Sequence, residues 1–185
     1  MIITIVIAGV IVLLLILLYN NLVGKKNQVA NAFSSIDVLL KKRFDLIPNL
    51  TKMVKRYMKH ETDVLTQVTD MRTKALSGRM TDAQTVDMDQ KVSSALGKIM
   101  VAVENYPDLK ASENFINLQA SLNEVEEQIS AARRAYNASV KDYNNALEMF
   151  PSNIVAGLMR YQKKVFFEID TRERQGVDVG QLLDI

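Results

Sequence analysis

No cysteine occurs in the 185 residues, which excludes disulfides, thiolate metal sites and thiol nucleophiles. That absence is neutral about compartment, because domains on either side of a membrane can do without cysteine. Tryptophan is also missing, proline numbers 3 and glycine 7, well below ordinary usage. So few turn formers cannot serve the many hairpins of a sandwich or barrel, and with 48% hydrophobic residues the chain reads as all-α. A net charge of +2 carries no nucleic-acid signal. His60 is the single histidine. Without a second one there is no H-E-x-x-H zinc pattern, and a lone His–Glu dipeptide reads as a helix residue rather than a metal site. A glycine-rich phosphate loop and the G-x-S-x-G nucleophile turn are absent as well. The sequence therefore predicts no catalytic, cofactor-binding or metal residues, and no enzyme.

What the chain does have is a long apolar run. Residues 2–18, "IITIVIAGVIVLLLILL", contain no charge, and Thr4 is their only polar side chain. With Tyr19 and "NNLVG" the segment reaches about 20 residues, enough to cross about 30 Å of hydrocarbon. A cleaved signal peptide would need a basic start and a small-residue cleavage site. Here the first basic residue is Lys25, after the run, so residues 1–24 are expected to be a retained anchor in the lipid bilayer. Tyr19 suits the interface. Lys25, Lys26, Lys41, Lys42 and Arg43 follow the span, and the positive-inside rule then predicts the orientation of a single-pass membrane protein. Its N-terminus would lie outside and its body in the cytoplasm.

Beyond Gly24 the apolar residues recur with helical spacing. Val29, Phe33, Ile36, Leu40 and Phe44 form one stripe, and Leu50, Val54, Tyr57, Glu61, Val64 or Leu65, Val68, Met71 and Ala75 another, with Glu61 its odd polar member. Gly78 follows the second as a C′ residue would, and Thr81 with Gln84 resembles a capping box. Val92, Leu96, Ile99 and Val103 mark a third helix. Phe115, Leu118, Leu122, Val125, Ile129, Ala132 and Tyr136 mark a fourth in coiled-coil-like steps of 3 and 4, continued by Val140, Tyr143, Leu147 and Phe150.

"DLIPN", residues 45–49, poses the main architectural question. Proline lacks an N–H and clashes with the carbonyl four residues back, and Pro107 and Pro151 both fall where a helical pattern ends. Pro48 is accordingly expected to mark a turn between helices. The predicted fold is an N-terminal transmembrane helix followed by an elongated antiparallel up-and-down four-helix bundle, with helices near 25–45, 49–77, 83–105 and 112–149. The alternative keeps 25–78 as one kinked helix in a long hairpin with 84–149, and helix lengths favour it. In either form residues 25–150 make the helical body and 151–185 a tail.

Several segments together resemble the LemA family of bacterial membrane proteins. They are "YNNLV" at 19–23, "NAFSSIDVLLKKRFDLIPNL" at 31–50, "VKRYMKHE" at 54–61, "YPDLKASENFINLQ" at 106–119, "ARRAYNASVKDYNNALEMFPSN" at 132–153 and "VDVGQLLD" at 177–184. They cover nearly the whole chain in order. The resemblance implies a membrane helix and a four-helix-bundle-type domain. It implies little chemistry, the family's biochemical role being poorly defined.

Polar residues beside the stripes are the remaining candidates. Counting inward along two antiparallel helices from Tyr19 and Phe150 sets Asp37 level with Arg133. Asp37 is therefore expected to be partly buried and paired with Arg133 or Arg134, a structural charge pair rather than a catalytic one. "YNASVKDYNN" repeats Tyr-Asn at a spacing of 7, which returns both pairs to one helix face. Small residues Ala131, Ala135, Ala138 and Ala146 form a second face suited to a homo-oligomer. In the tail, Leu158, Tyr161, Val165 and Ile169 share one helical face. Arg160, Tyr161, Lys163, Lys164, Phe166 and Phe167 are candidates for contact with the bundle, a neighbouring subunit or anionic lipid. The expected function is a non-enzymatic interaction or assembly module. The alternatives are an accessory subunit of another membrane protein, such as a protease or transporter, and a self-assembling membrane-remodelling or envelope-stress scaffold.

Overall fold

Leu22, Val29, Ile36, Arg43 and Leu50 stand seven residues apart, and all five are buried. They belong to one helix. The computed structural model describes residues 1–58, 62–78 and 80–167, and among these there are helices and no strand. The elements are α1 (Ile2–Tyr57), α2 (Thr62–Ser77), α3 (Asp82–Val103), α4 (Pro107–Lys110), α5 (Glu113–Glu148) and α6 (Ser152–Leu158).

The apolar run forms the first part of α1, and the other described residues leave it exposed as far as Leu17. It is the one stretch among the described residues long and apolar enough to cross a membrane. From Leu22 onward the same helix packs antiparallel to α5. The register follows from their contacts: Leu22 clusters with Ala146, Phe33 stacks edge-on with Tyr136, and Arg43 binds Glu126. Buried residues of α1 to α5 join in one core, with Phe115, Val125, Ile129 and Tyr136 contributed by α5. At about 25 cal/mol per Å², each such large apolar side chain stabilises the fold by about 1.5–3 kcal/mol.

Pro48 does not make the expected turn. It lies inside α1, which continues unbroken to Tyr57, so the boundary anticipated at 45–49 falls after Tyr57 instead. The reason is on α2. A residue at position 48 would normally donate its N–H to the carbonyl of Phe44, and proline leaves that carbonyl free. Arg72 Nε donates to Phe44 O at 3.0 Å and so replaces the missing donor from a neighbouring helix. The first expected helix and the start of the second, through Tyr57, are thus one rod, and the remainder of the second is α2.

The other signals act locally. Thr81 and Gln84 form a reciprocal capping box, with Gln84 N–H donating to Thr81 Oγ1 at 3.3 Å and Thr81 N–H to Gln84 Oε1 at 2.9 Å. Gly78 directly follows α2 without a left-handed φ. Pro107 opens α4 rather than merely closing α3, taking a first-turn position where its missing N–H costs nothing. Pro151 precedes α6.

A tight C-terminal cap ends α6 and turns the chain back. Arg160 has φ 52, its N–H donates to Gly157 O, and Tyr161 N–H donates to Ala156 O. That pair of bonds is the Schellman arrangement, here with an arginine where glycine is usual. Residues 161–167 then run without helical structure. The single helical face expected through Leu158, Tyr161 and Val165 is therefore not formed, and Ile169 lies outside the described residues.

Candidate functional site: a buried charge network and a tail clasp

Arg43 is the largest fully buried side chain among the described residues, 1% exposed. A guanidinium never loses its proton in a protein, so its burial demands acceptors. Its Nη2 binds Asp89 Oδ1, and its Nη1 donates to Ser93 Oγ at 2.8 Å and to Glu126 Oε2 at 2.7 Å. Arg133 Nη2 takes the other oxygen of Asp89, and its Nη1 lies 3.6 Å from Glu126 Oε1. Two cations and two anions thus close a ring joining α1, α3 and α5. The Nε atoms of Arg43 and Arg133 remain without acceptors. Arg43 and Asp89 are fully desolvated while Arg133 and Glu126 are 24% and 41% exposed; that desolvation offsets much of the attraction, so such a ring chiefly fixes which faces meet.

This corrects the expected pair. Asp37 is level with Arg133 by the register above, but it is exposed and makes no ion pair among the described residues. Its position lies beside the buried stripe rather than within it, so it turns outward. Arg133 pairs with Asp89 instead. Arg134 is exposed and lines a shallow surface depression with Asn123, Glu126, Glu127 and Ser130.

The network was nevertheless signalled. Arg43 occupies the buried seven-residue series of α1. Asp89 continues the Val92, Leu96, Ile99, Val103 stripe backwards by three residues, and buried Thr85 precedes it by four. Restricting a stripe to apolar residues hides both.

The second polar site holds the tail. Asn144 accepts the backbone N–H of Lys164 and donates to its carbonyl, both at 2.9 Å. One pair of turns earlier, Asn137 does the same to Phe167, at 2.8 and 2.9 Å. Tyr136 donates its hydroxyl to Val165 O at 3.0 Å. The Tyr-Asn repeat is therefore a clasp, in which two side-chain amides imitate the edge of a sheet. Phe167 completes an aromatic cluster with Phe33 and Tyr136, at centroid distances of 6.3 and 5.3 Å. Burial pushes the Tyr136 hydroxyl up to about 12, with the Asp82 carboxylate adding to the effect. Burial likewise raises that of Tyr143, with a further contribution from Tyr161.

The candidate contact residues of the tail mostly face their own chain. Lys164 bridges to Asp82 at 2.9 Å, Lys163 pairs with Glu148, and Lys26 sits 5.1 Å from the centre of the Tyr161 ring. Phe167 is buried, while Arg160 and Phe166 are exposed. On the small-residue face Ala131, Ala135 and Ala138 are exposed, but Ala146 is buried against Leu22, Val155 and Ala156. His60 lies outside the described residues. Among those described, no three His, Cys, Asp or Glu side chains gather as metal ligands would.

An all-α chain with an uncovered apolar helix, polar groups spent on joining helices and a clasped tail defines a class of helical modules rather than a known chemistry. The LemA family model matches residues 32–180, and the chain belongs to the LemA family. It is 26% identical over 163 residues to Protein LemA of Metamycoplasma hominis, covering 88% of this chain and 74% of that protein. It is also 24% identical over 179 residues to Magnetosome protein MamQ 2 of Paramagnetospirillum magneticum, covering 83% of this chain and 66% of the relative. Magnetosome protein MamQ of Magnetospirillum gryphiswaldense is 21% identical over 178 residues, covering 83% and 65%. The chain thus spans about two thirds of the length of these magnetosome proteins. None of the family or relative names denotes an enzyme.

Proposed function

We propose that this chain is a non-enzymatic, single-pass protein of the bacterial inner membrane whose helical body is an assembly module. The observation that carries this reading is the uncovered apolar part of α1, continuous with a body whose buried charges bind one another. A side chain shut inside such a ring has no access to a substrate. Lys25 and Lys26, directly after the apolar run, support a cytoplasmic body and an external N-terminus. The exposed Ala131, Ala135 and Ala138 offer a surface for a second copy. The similarity to relatives named as magnetosome proteins accords with a role at a membrane.

Cross-linking in native membranes, followed by purification in mild detergent and light scattering, tests this. A particle holding several copies of the 20.8 kDa chain is the expected result. One chain per particle at membrane-like concentration overturns self-assembly, and a different chain co-purifying in fixed ratio establishes the accessory subunit.

A further inference from the structure

The corner between α5 and α6 exposes more apolar surface than its packing explains. Met149, Phe150, Ile154 and Leu158 are 63%, 79%, 62% and 83% exposed. Val155 and Ala156 face inward, where they pack with Leu22 and Ala146, and Leu18 and Tyr161 lie against them. The inner side of α6 thus has its partner, and the outer residues have none within the chain. Elsewhere on the body, exposed apolar residues such as Val38, Leu76 and Val101 occur singly on different helices, as is ordinary for a protein surface.

The level of this corner identifies what covers it. Leu18 closes the apolar run of α1, before Tyr19, Asn20 and Asn21, and at 1.5 Å per residue that run spans about 26 Å of a hydrocarbon layer about 30 Å thick. The Leu18–Leu22 turn is therefore where α1 leaves the hydrocarbon, and α6 packs against that same turn. Charge agrees with this placement. Lys25 and Lys26 lie about one turn further along α1, Arg160 follows α6, and Glu148 at the corner is held by Lys163. Apolar side chains rimmed by cations suit the boundary between acyl chains and anionic headgroups.

We propose that the α5–α6 corner is a second membrane contact, with Met149, Phe150, Ile154 and Leu158 sunk into the interface of the bilayer that α1 crosses. This rests on the anchor reading above. It makes the body a closed loop at the membrane, entered by α1 and returned by α5, with α6 lying on the surface.

The absence of tryptophan makes the test clean. Three single variants of the full chain, Leu13→Trp, Phe150→Trp and Val101→Trp, each carry one indole. They are reconstituted into phosphatidylcholine–phosphatidylglycerol vesicles with and without brominated acyl chains. Val101 is the far control. It lies near the other end of α3 from Asp82, which meets Lys164 beside the corner, and 19 residues of helix span about 28 Å. The expected result is blue-shifted emission that loses most of its intensity to bromine for Leu13→Trp and Phe150→Trp, and little loss for Val101→Trp. If Leu13→Trp is quenched and Phe150→Trp behaves like Val101→Trp, the corner stands in water and the inference is overturned alone. Blue-shifted but unquenched emission at Phe150→Trp assigns the corner to a second copy and also overturns it. Failure of quenching at Leu13→Trp overturns the anchor itself.

Discussion

Two sets of polar contacts join distant parts of this chain, and they differ in kind. In the middle of the body, Arg43, Asp89, Glu126 and Arg133 carry full charges, and the Arg43 and Asp89 side chains are 1% and 0% exposed. At the end of the body nearer the apolar run, half-buried Asn137 and Asn144 and the buried Tyr136 hold the tail with neutral groups. Removing one member of a buried charge ring strands the others, whereas a released tail can rehydrate its backbone. The difference separates an arrangement that specifies the fold from one that can open by itself.

The largest effect expected from this contrast is Asp89→Ala. It leaves two arginines facing each other, one fully buried, and should cost about 3–5 kcal/mol in urea unfolding. Arg133→Ala should cost less, because Asp89 keeps Arg43. A loss below about 1 kcal/mol for Asp89→Ala, the size typical of an exposed pair, would erase the distinction between the two regions.

Next comes the proline contact. Arg72→Ala should cost about 1–3 kcal/mol by leaving the Phe44 carbonyl without a donor. Adding Pro48→Ala restores an N–H at that position, so the double variant should regain part of the loss. If Pro48→Ala is equally stabilising with and without Arg72, the two residues are not coupled.

The clasp should respond locally. Asn137→Ala or Asn144→Ala is expected to change global stability by no more than about 1–2 kcal/mol, since each net hydrogen bond contributes about 1 kcal/mol. Hydrogen exchange at the Lys164 and Phe167 amides should nevertheless accelerate strongly while amides of α5 stay protected. Equal acceleration throughout would mean that the tail and the body unfold as one unit.

The last effect, absent at neutral pH, appears only in alkali. Tyr136 is raised above its ordinary value of 10.0 to about 12, so the folded chain holds a proton that the unfolded chain has lost between these values. Its contribution is full below pH 10.0 and declines as pH rises towards about 12, where the phenolate can no longer donate to Val165. Tyrosinate absorbance followed with stability over this range checks it. Tyr136→Phe should flatten that part of the profile, and an unchanged profile counts against the hydrogen bond.

Composition announced the all-α class, and residue order announced the apolar span, the capping box and the α5 stripe, because each of these three is a property of neighbours along one helix. The faces of Arg43 and Asp89 were legible in the same way, once charged residues are admitted to a buried series. Pro48 was not. Its rescue comes from Arg72, 28 residues away, and nothing near "DLIPN" encodes it. The Tyr-Asn repeat showed which face would be used but not what it would hold, since its partners are backbone groups that any sequence supplies. Asp37 shows the converse, a correct level on the helix with the wrong rotation about its axis.

The unbroken helix through Pro48 has a mechanical consequence. From Tyr19 to Tyr57 the rod is about 57 Å long, so tilting it by about 20° in a bilayer would swing its far tip sideways by about 20 Å. With a turn at Pro48 that motion would be lost partway along. With its apolar arm in lipid, as proposed above, α1 would be a lever whose long arm sets the height and lean of the whole body. A thinner or thicker bilayer would thereby change where the distal ends of α1, α3 and α5 stand relative to the membrane surface.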